Sequence, residues 1–106
     1  MTDCVVVLVT AGSATEAEHI AETLVGERLA ACVNVVGPMR SVYRWNGAVQ
    51  RDEEWLLVAK TRAERVAALR RRVRDVHSYD LPETVALSVV DGAPDYLAWV
   101  CRETAD

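Results

Sequence analysis

Ser41-Val42-Tyr43-Arg44-Trp45 alternates in polarity, and Asn46-Gly47 follows it directly. A period of two is the pattern of a strand. Asn-Gly between two strands is a strong hairpin signal, because a type I′ turn needs positive φ at both central positions. The return strand runs over residues 49–61. It starts polar, with Gln50, Arg51, Asp52, Glu53 and Glu54, and turns apolar from Trp55 to Ala59. That order predicts a hairpin whose tip projects beyond the body of the domain or packs on another chain. Tyr43 and Trp45 share one face of the outgoing strand. An exposed aromatic pair marks an interaction surface; the alternative is packing under the chain's own C-terminal helix.

Outward from the hairpin the pattern repeats. On the N-terminal side, Cys4 to Val9 is a continuous apolar run that suits a central strand. Ser13-Ala14-Thr15-Glu16 reads as a capping box, and Ala17, Ile20, Ala21, Leu24 and Val25 make one helical stripe ending near Arg28. Residues 31–36 form a second strand, interrupted by Gly37-Pro38, where a bulge, bend or edge is expected. On the C-terminal side, Thr61-Arg62-Ala63-Glu64 reads as a second capping box. Val66, Leu69, Val73 and Val76 then form the stripe of a second helix, with arginines on its other faces. Residues 77–83 are a loop and residues 84–90 a fourth strand. Asp95 is the expected cap of a short last helix with Tyr96, Trp99 and Val100 inward.

The order βαββαβ plus a C-terminal helix predicts an α+β, ferredoxin-like split β-α-β: one antiparallel four-stranded sheet with both long helices on one face. The 106 residues make a single domain, 1–106. Net charge is −4, which argues against nucleic-acid binding, although six of the twelve basic residues fall between Arg62 and Arg74. No apolar run is long enough to span a bilayer. Cys4, Cys32 and Cys101 show no C-x-x-C and read as reduced thiols. With no signal peptide visible, a cytoplasmic location is expected.

Chemistry is sparse. Nucleophilic catalysis needs Cys or Ser beside His, and no such pair is evident, so no enzymatic activity is expected. His19 reads as a surface residue. His77, close to Tyr79, Asp80 and Glu83, is either a helix-terminal cation or a ligand contact. Cys32 sits mid-strand, as a buried structural thiol or a soft metal donor.

One series of residues goes further. Leu29-Ala30-Ala31-Cys32-Val33-Asn34, the hairpin through Gly47, Glu53, Lys60-Thr61, His77-Ser78-Tyr79-Asp80-Leu81-Pro82-Glu83 and Tyr96-Leu97-Ala98-Trp99 stand in one order and spacing. Together they resemble the CutA divalent-cation tolerance family, from about Val5 to Trp99. The resemblance implies a tight homotrimer, PII-like in fold and assembly, in which the hairpin pairs with neighbouring subunits. It also implies tolerance of copper, Cu(2+), and other divalent metal ions, with metal bound weakly or indirectly. By matching position His77 and Cys32 are the metal candidates, and Tyr43, Trp45, Glu53, Lys60, Tyr79 and Glu83 the interface or cleft candidates. Two departures stand out. Ser78 replaces the family's proline, which implies a less rigid loop, and Val9 stands where some relatives carry a cysteine. A PII-like regulator binding a small anionic ligand is the alternative, motivated by Lys60, Arg44 and the arginine-rich helix.

Overall fold

A computed structural model describes residues 2–105. Strand β1 (Cys4–Ala11) is the centre of the sheet, because its run of valines is covered on the helix side. Val7 and Val9 are wholly buried there. Helix α1 (Ala14–Gly26) follows Gly12-Ser13, with Ser13 Oγ accepting from the Glu16 amide at 3.1 Å. Ala17, Ile20 and Leu24 press onto the sheet. Val25, expected in the same stripe, is exposed, since the helix ends at Gly26 and the stripe has already turned outward. Arg28 takes a left-handed φ of 60°, and the amides of Leu29 and Ala30 turn back to the Leu24 carbonyl. That closure leads into the second strand.

Strands β2 (Cys32–Trp45) and β3 (Ala48–Arg62) form one long antiparallel ribbon. Asn46 and Gly47 both have positive φ, 50° and 79°, as the hairpin reading requires. Gly37-Pro38 does not end the strand: the ladder shifts register between Val36 and Met39 and continues. Gly37 is required there because a Cβ would come within 2.8 Å of Trp55 Nε1 and closer still to the ring carbons.

The second capping box does not form. Thr61 is still in β3, paired with Val5, and its hydroxyl is buried without a partner among the described residues. A 3-10 turn, Ala63–Arg65, leads into α2 (Val66–Val76), and neither start has a side-chain cap. The sheet ladder thus outcompetes the local hydrogen bond that Thr61 could make. Strand β4 (Val85–Ser88) is shorter than expected, and α3 (Pro94–Glu103) starts at Pro94 with Ala93 at the cap. Asp95 therefore lies in the first turn, where its negative charge faces the positive end of the helix dipole, and not at the cap. Of the face expected inward on α3, Val100 is buried while Tyr96 is exposed.

The sheet order is β2-β3-β1-β4, all antiparallel, as expected for the split β-α-β. One core lies between β1, β3, α1 and α2. The molecule is elongated, 44 × 25 × 22 Å, with a radius of gyration of 14.2 Å. A compact chain of this length has about 13 Å. The excess lies in the hairpin tip, where Val42, Val49, Tyr43 and Trp45 are exposed.

Candidate functional site

The inner side of the ribbon and the loop after α2 enclose a cleft of about 810 Å³. β1 contributes Thr10, the ribbon Tyr43, Arg44 and Glu54, and the loop Tyr79 and Glu83. The loop is positioned by side chains from three elements. The His77 ring is wholly buried. Its Nε2 lies 2.6 Å from the Thr10 carbonyl, and its Nδ1 accepts the Tyr79 amide at 3.0 Å. This pairing gives the tautomer with Nε2 protonated and donating to Thr10, an assignment from the hydrogen bonds. Both ring nitrogens are thereby engaged within the chain.

Glu16 ties the same loop from the other side. Its Oε1 accepts from the Gly12 amide at 3.4 Å, and its Oε2 accepts from the Ser78 amide at 2.8 Å. The capping-box carboxylate thus reaches past its own helix to anchor the loop. Partial burial acts to raise the Glu16 carboxyl, but the Ser78 and Gly12 hydrogen bonds and the nearby His77 outweigh it and hold the group below its ordinary value. A proline at position 78 has no amide to donate. Ser78 therefore supplies a tie that the family's proline does not have.

Tyr79 crosses over Gly12, where a Cβ would stand 3.1 Å from the phenol oxygen. Its hydroxyl donates to Glu54 Oε2 at 2.8 Å, and Glu54 is 8% exposed. Burial, then that hydrogen bond, pushes the Tyr79 phenol well above its ordinary value. Burial also raises the Glu83 carboxyl, with the Glu54 charge adding to it. The cleft is acidic: of its charged lining residues Glu54, Asp80 and Glu83 are carboxylates and Arg44 is the cation.

The expected site residues fall into separate places. Tyr43 and Trp45 line the ribbon side of the cleft and remain partly exposed toward the tip, with the Tyr43 hydroxyl donating to Asp52 across the ribbon. Glu53 is exposed on the ribbon opposite Arg40. Lys60 hydrogen-bonds Asn34. Tyr79 and Glu83 meet Tyr43 and Trp45 in the cleft from the loop side, whereas Glu53 and Lys60 lie outside it. Cys32 and His77 do not meet within one chain. Cys32 pairs with Lys60, whereas His77 reaches Thr10, which pairs with Leu56. Four residues along β3 separate these positions by roughly 13 Å. Among the described residues no group of three or more His, Cys, Asp or Glu side chains is placed to hold a metal ion. His19 is exposed, as expected, and Val9 lies in the helix-side core.

Glu54 and Glu16 are the residues that sequence reasoning missed. Glu54 sat in a polar run that reads as solvated. Its only signal was its register position opposite Met39, at the step where the ribbon leaves the body.

Comparison with known proteins places this geometry. The divalent-cation tolerance protein CutA of Thermus thermophilus is 46% identical over 99 residues, 93% of this chain and 96% of that protein. The chloroplastic protein CutA of Arabidopsis thaliana is 42% identical over 100 residues; they are 94% of this chain but 55% of that one, so the chain spans about half of that relative. Among solved structures, the Thermus thermophilus protein superposes with a TM-score of 0.94 at 45% identity, covering 96% of this chain and 99% of that one. CutA of Xylella fastidiosa gives 0.95 at 38% identity, covering 98% and 100%. The family model described as CutA1 divalent ion tolerance protein matches residues 5–103, and the chain belongs to that family.

Proposed function

We propose that the chain acts in divalent-cation tolerance as a cytoplasmic, non-catalytic homotrimer that meets copper or another divalent metal ion weakly. Support for assembly comes from the ribbon tip. It carries Val42, Tyr43, Trp45 and Val49 on a projecting arm, and the described residues leave each of them more than two-fifths exposed. Light scattering at micromolar concentration is expected to give three times the chain mass; a monomeric mass would overturn the trimer.

The observation that carries the cation reading is the charge of the cleft, three carboxylates against one arginine. A cation there relieves the repulsion between Glu54 and Glu83, which adds to burial in raising the Glu83 carboxyl. The same balance counts against the alternative, a small anionic ligand of the PII-like kind. The engaged nitrogens of His77 argue that its part is to hold the loop, with Cys32 left as a separate soft donor. Titration with Cu(II) is expected to show weak binding that Glu83→Gln weakens further. Affinity unchanged in Glu83→Gln would remove the cleft from the reading. Affinity equal to native in His77→Ala would show that the imidazole is no ligand.

A further inference from the structure

The three thiols are far apart in sequence, yet the fold brings two of them into contact. Cys4 opens β1 and Cys101 lies in the second half of α3, and their Sγ atoms stand 3.9 Å apart across 97 positions of sequence. Cys4 is 3% exposed and Cys101 is partly exposed. The Cys4 thiol also faces the Leu97 carbonyl, one turn earlier on α3, at 3.7 Å. Cys32 has other sulfur contacts, with its Sγ toward Asn34 Oδ1 at 3.9 Å and the Tyr96 hydroxyl, which stands between it and Cys4, beside it.

The end of α3 is held firmly against the body. Arg28 donates to the carbonyls of Ala105 and Arg102, and Arg62 donates to the Thr104 carbonyl at 2.8 Å and to its hydroxyl at 3.1 Å. These bonds fix the helix at one height over β1, so the two sulfurs are presented to each other and do not meet by chance. A disulfide has an S–S distance of about 2.05 Å, so closing the pair needs about 1.9 Å of approach by two side chains.

We propose that Cys4 and Cys101 form a modification site, a dithiol that a peroxide-class oxidant converts to an intrachain disulfide stapling α3 to β1. The more accessible sulfur reacts first. The Cys101 thiolate attacks one peroxide oxygen and the O–O bond breaks. Sulfenic acid forms at Cys101, and the second oxygen leaves as hydroxide and takes up the thiol proton as water. The Cys4 thiol then gives up its proton, and its sulfur displaces the sulfenic oxygen as a second water. Two thiols and one hydrogen peroxide give one disulfide and two waters; the sulfurs lose two electrons and the peroxide gains them. Burial, then the hydrogen bond with Cys101, holds the Cys4 thiol above its ordinary value, which suits it to the resolving step and not to the first attack. The bond closes a loop of nearly the whole chain, so it restricts the unfolded ensemble strongly.

The test uses the full reduced chain in its native assembly, treated with hydrogen peroxide, quenched, denatured and alkylated with N-ethylmaleimide. The expected product carries one alkyl group in place of three, and digestion yields a Cys4–Cys101 linked peptide. Its unfolding midpoint rises by several degrees and returns with dithiothreitol. Cys32→Ser is expected to form the same bond, and Cys101→Ser, at a partly exposed position, to form none. Three alkyl groups after peroxide, a linkage through Cys32, or an unmoved midpoint in the linked form would each overturn the proposal.

Discussion

At the base of the β2–β3 ribbon Leu57, Ala59 and Thr61 are wholly buried, whereas at its tip Val42, Val49 and Trp45 are exposed by 65, 47 and 44%. The two ends share strands, pairing and alternation. They differ in what lies over them. At the base one face meets α1, α2 and the β1 valines. Beyond Glu54 the ribbon runs past the helices. Alternation records which side chains share a face, but it does not record whether that face is covered.

The largest expected effect tests this difference directly. Leu57→Ala empties a fully buried position and is expected to cost about 2–5 kcal/mol in urea unfolding, at every protein concentration. Val49→Ala at the tip is expected to cost about 0.5 kcal/mol or less in dissociated chains. Its cost should grow with concentration as copies assemble, because association stabilises by mass action. Equal, concentration-independent losses at the two positions would show that the tip is covered by its own chain.

An intermediate effect is expected where the two regimes meet. Glu54 is the last buried residue of β3 toward the tip, and its carboxylate depends on the Tyr79 hydroxyl. Tyr79→Phe keeps the ring over Gly12 and removes the donor. The loss expected is about 1–3 kcal/mol, the cost of leaving a buried acceptor short of a partner. A change within error in thermal unfolding would mean that Glu54 turns to solvent unaided, and the boundary between base and tip would then lie nearer Trp55.

Much of the fold was legible because its signals are local. Asn46-Gly47 specified the hairpin, Ser13 the first helix start, and Ile20 and Leu24 the buried stripe. Errors came where a residue had two options of similar energy. Thr61 could cap a helix or extend a strand, and the ladder with Val5 prevailed. Val25 and Tyr96 fit helical stripes, but the stripe outran the surface available to cover it. The cleft was only half legible. His77, Tyr79 and Glu83 stand in one loop, whereas Glu16 and Glu54 join it through contacts 62 and 25 positions away. The Cys4–Cys101 contact is more remote still, and no spacing rule within a segment reports it.

The smallest effect separates Glu16, which ties the loop to α1, from Glu83 in the loop by the sign of their pH dependence. Glu16 is held below its ordinary value of 4.5. Its contribution is therefore present above 4.5 and is lost as pH falls through its lower, folded value. Glu83 is held above 4.5, by burial first and then by Glu54. The folded chain keeps that proton more tightly than the unfolded one, so Glu83 favours folding below 4.5 and penalises it as pH rises through the folded value. Glu83→Gln removes only the second trend. Its midpoint is expected to match the native one in acid and to exceed it at neutral pH, by about 1 °C or less because solvent still reaches this partly buried carboxylate and screens it. The acid-side loss that belongs to Glu16 should persist unchanged in the variant. If Glu83→Gln flattened that acid limb instead, the two carboxylates would be titrating as one group. The loop would then answer to pH through the ribbon side of the cleft rather than through α1.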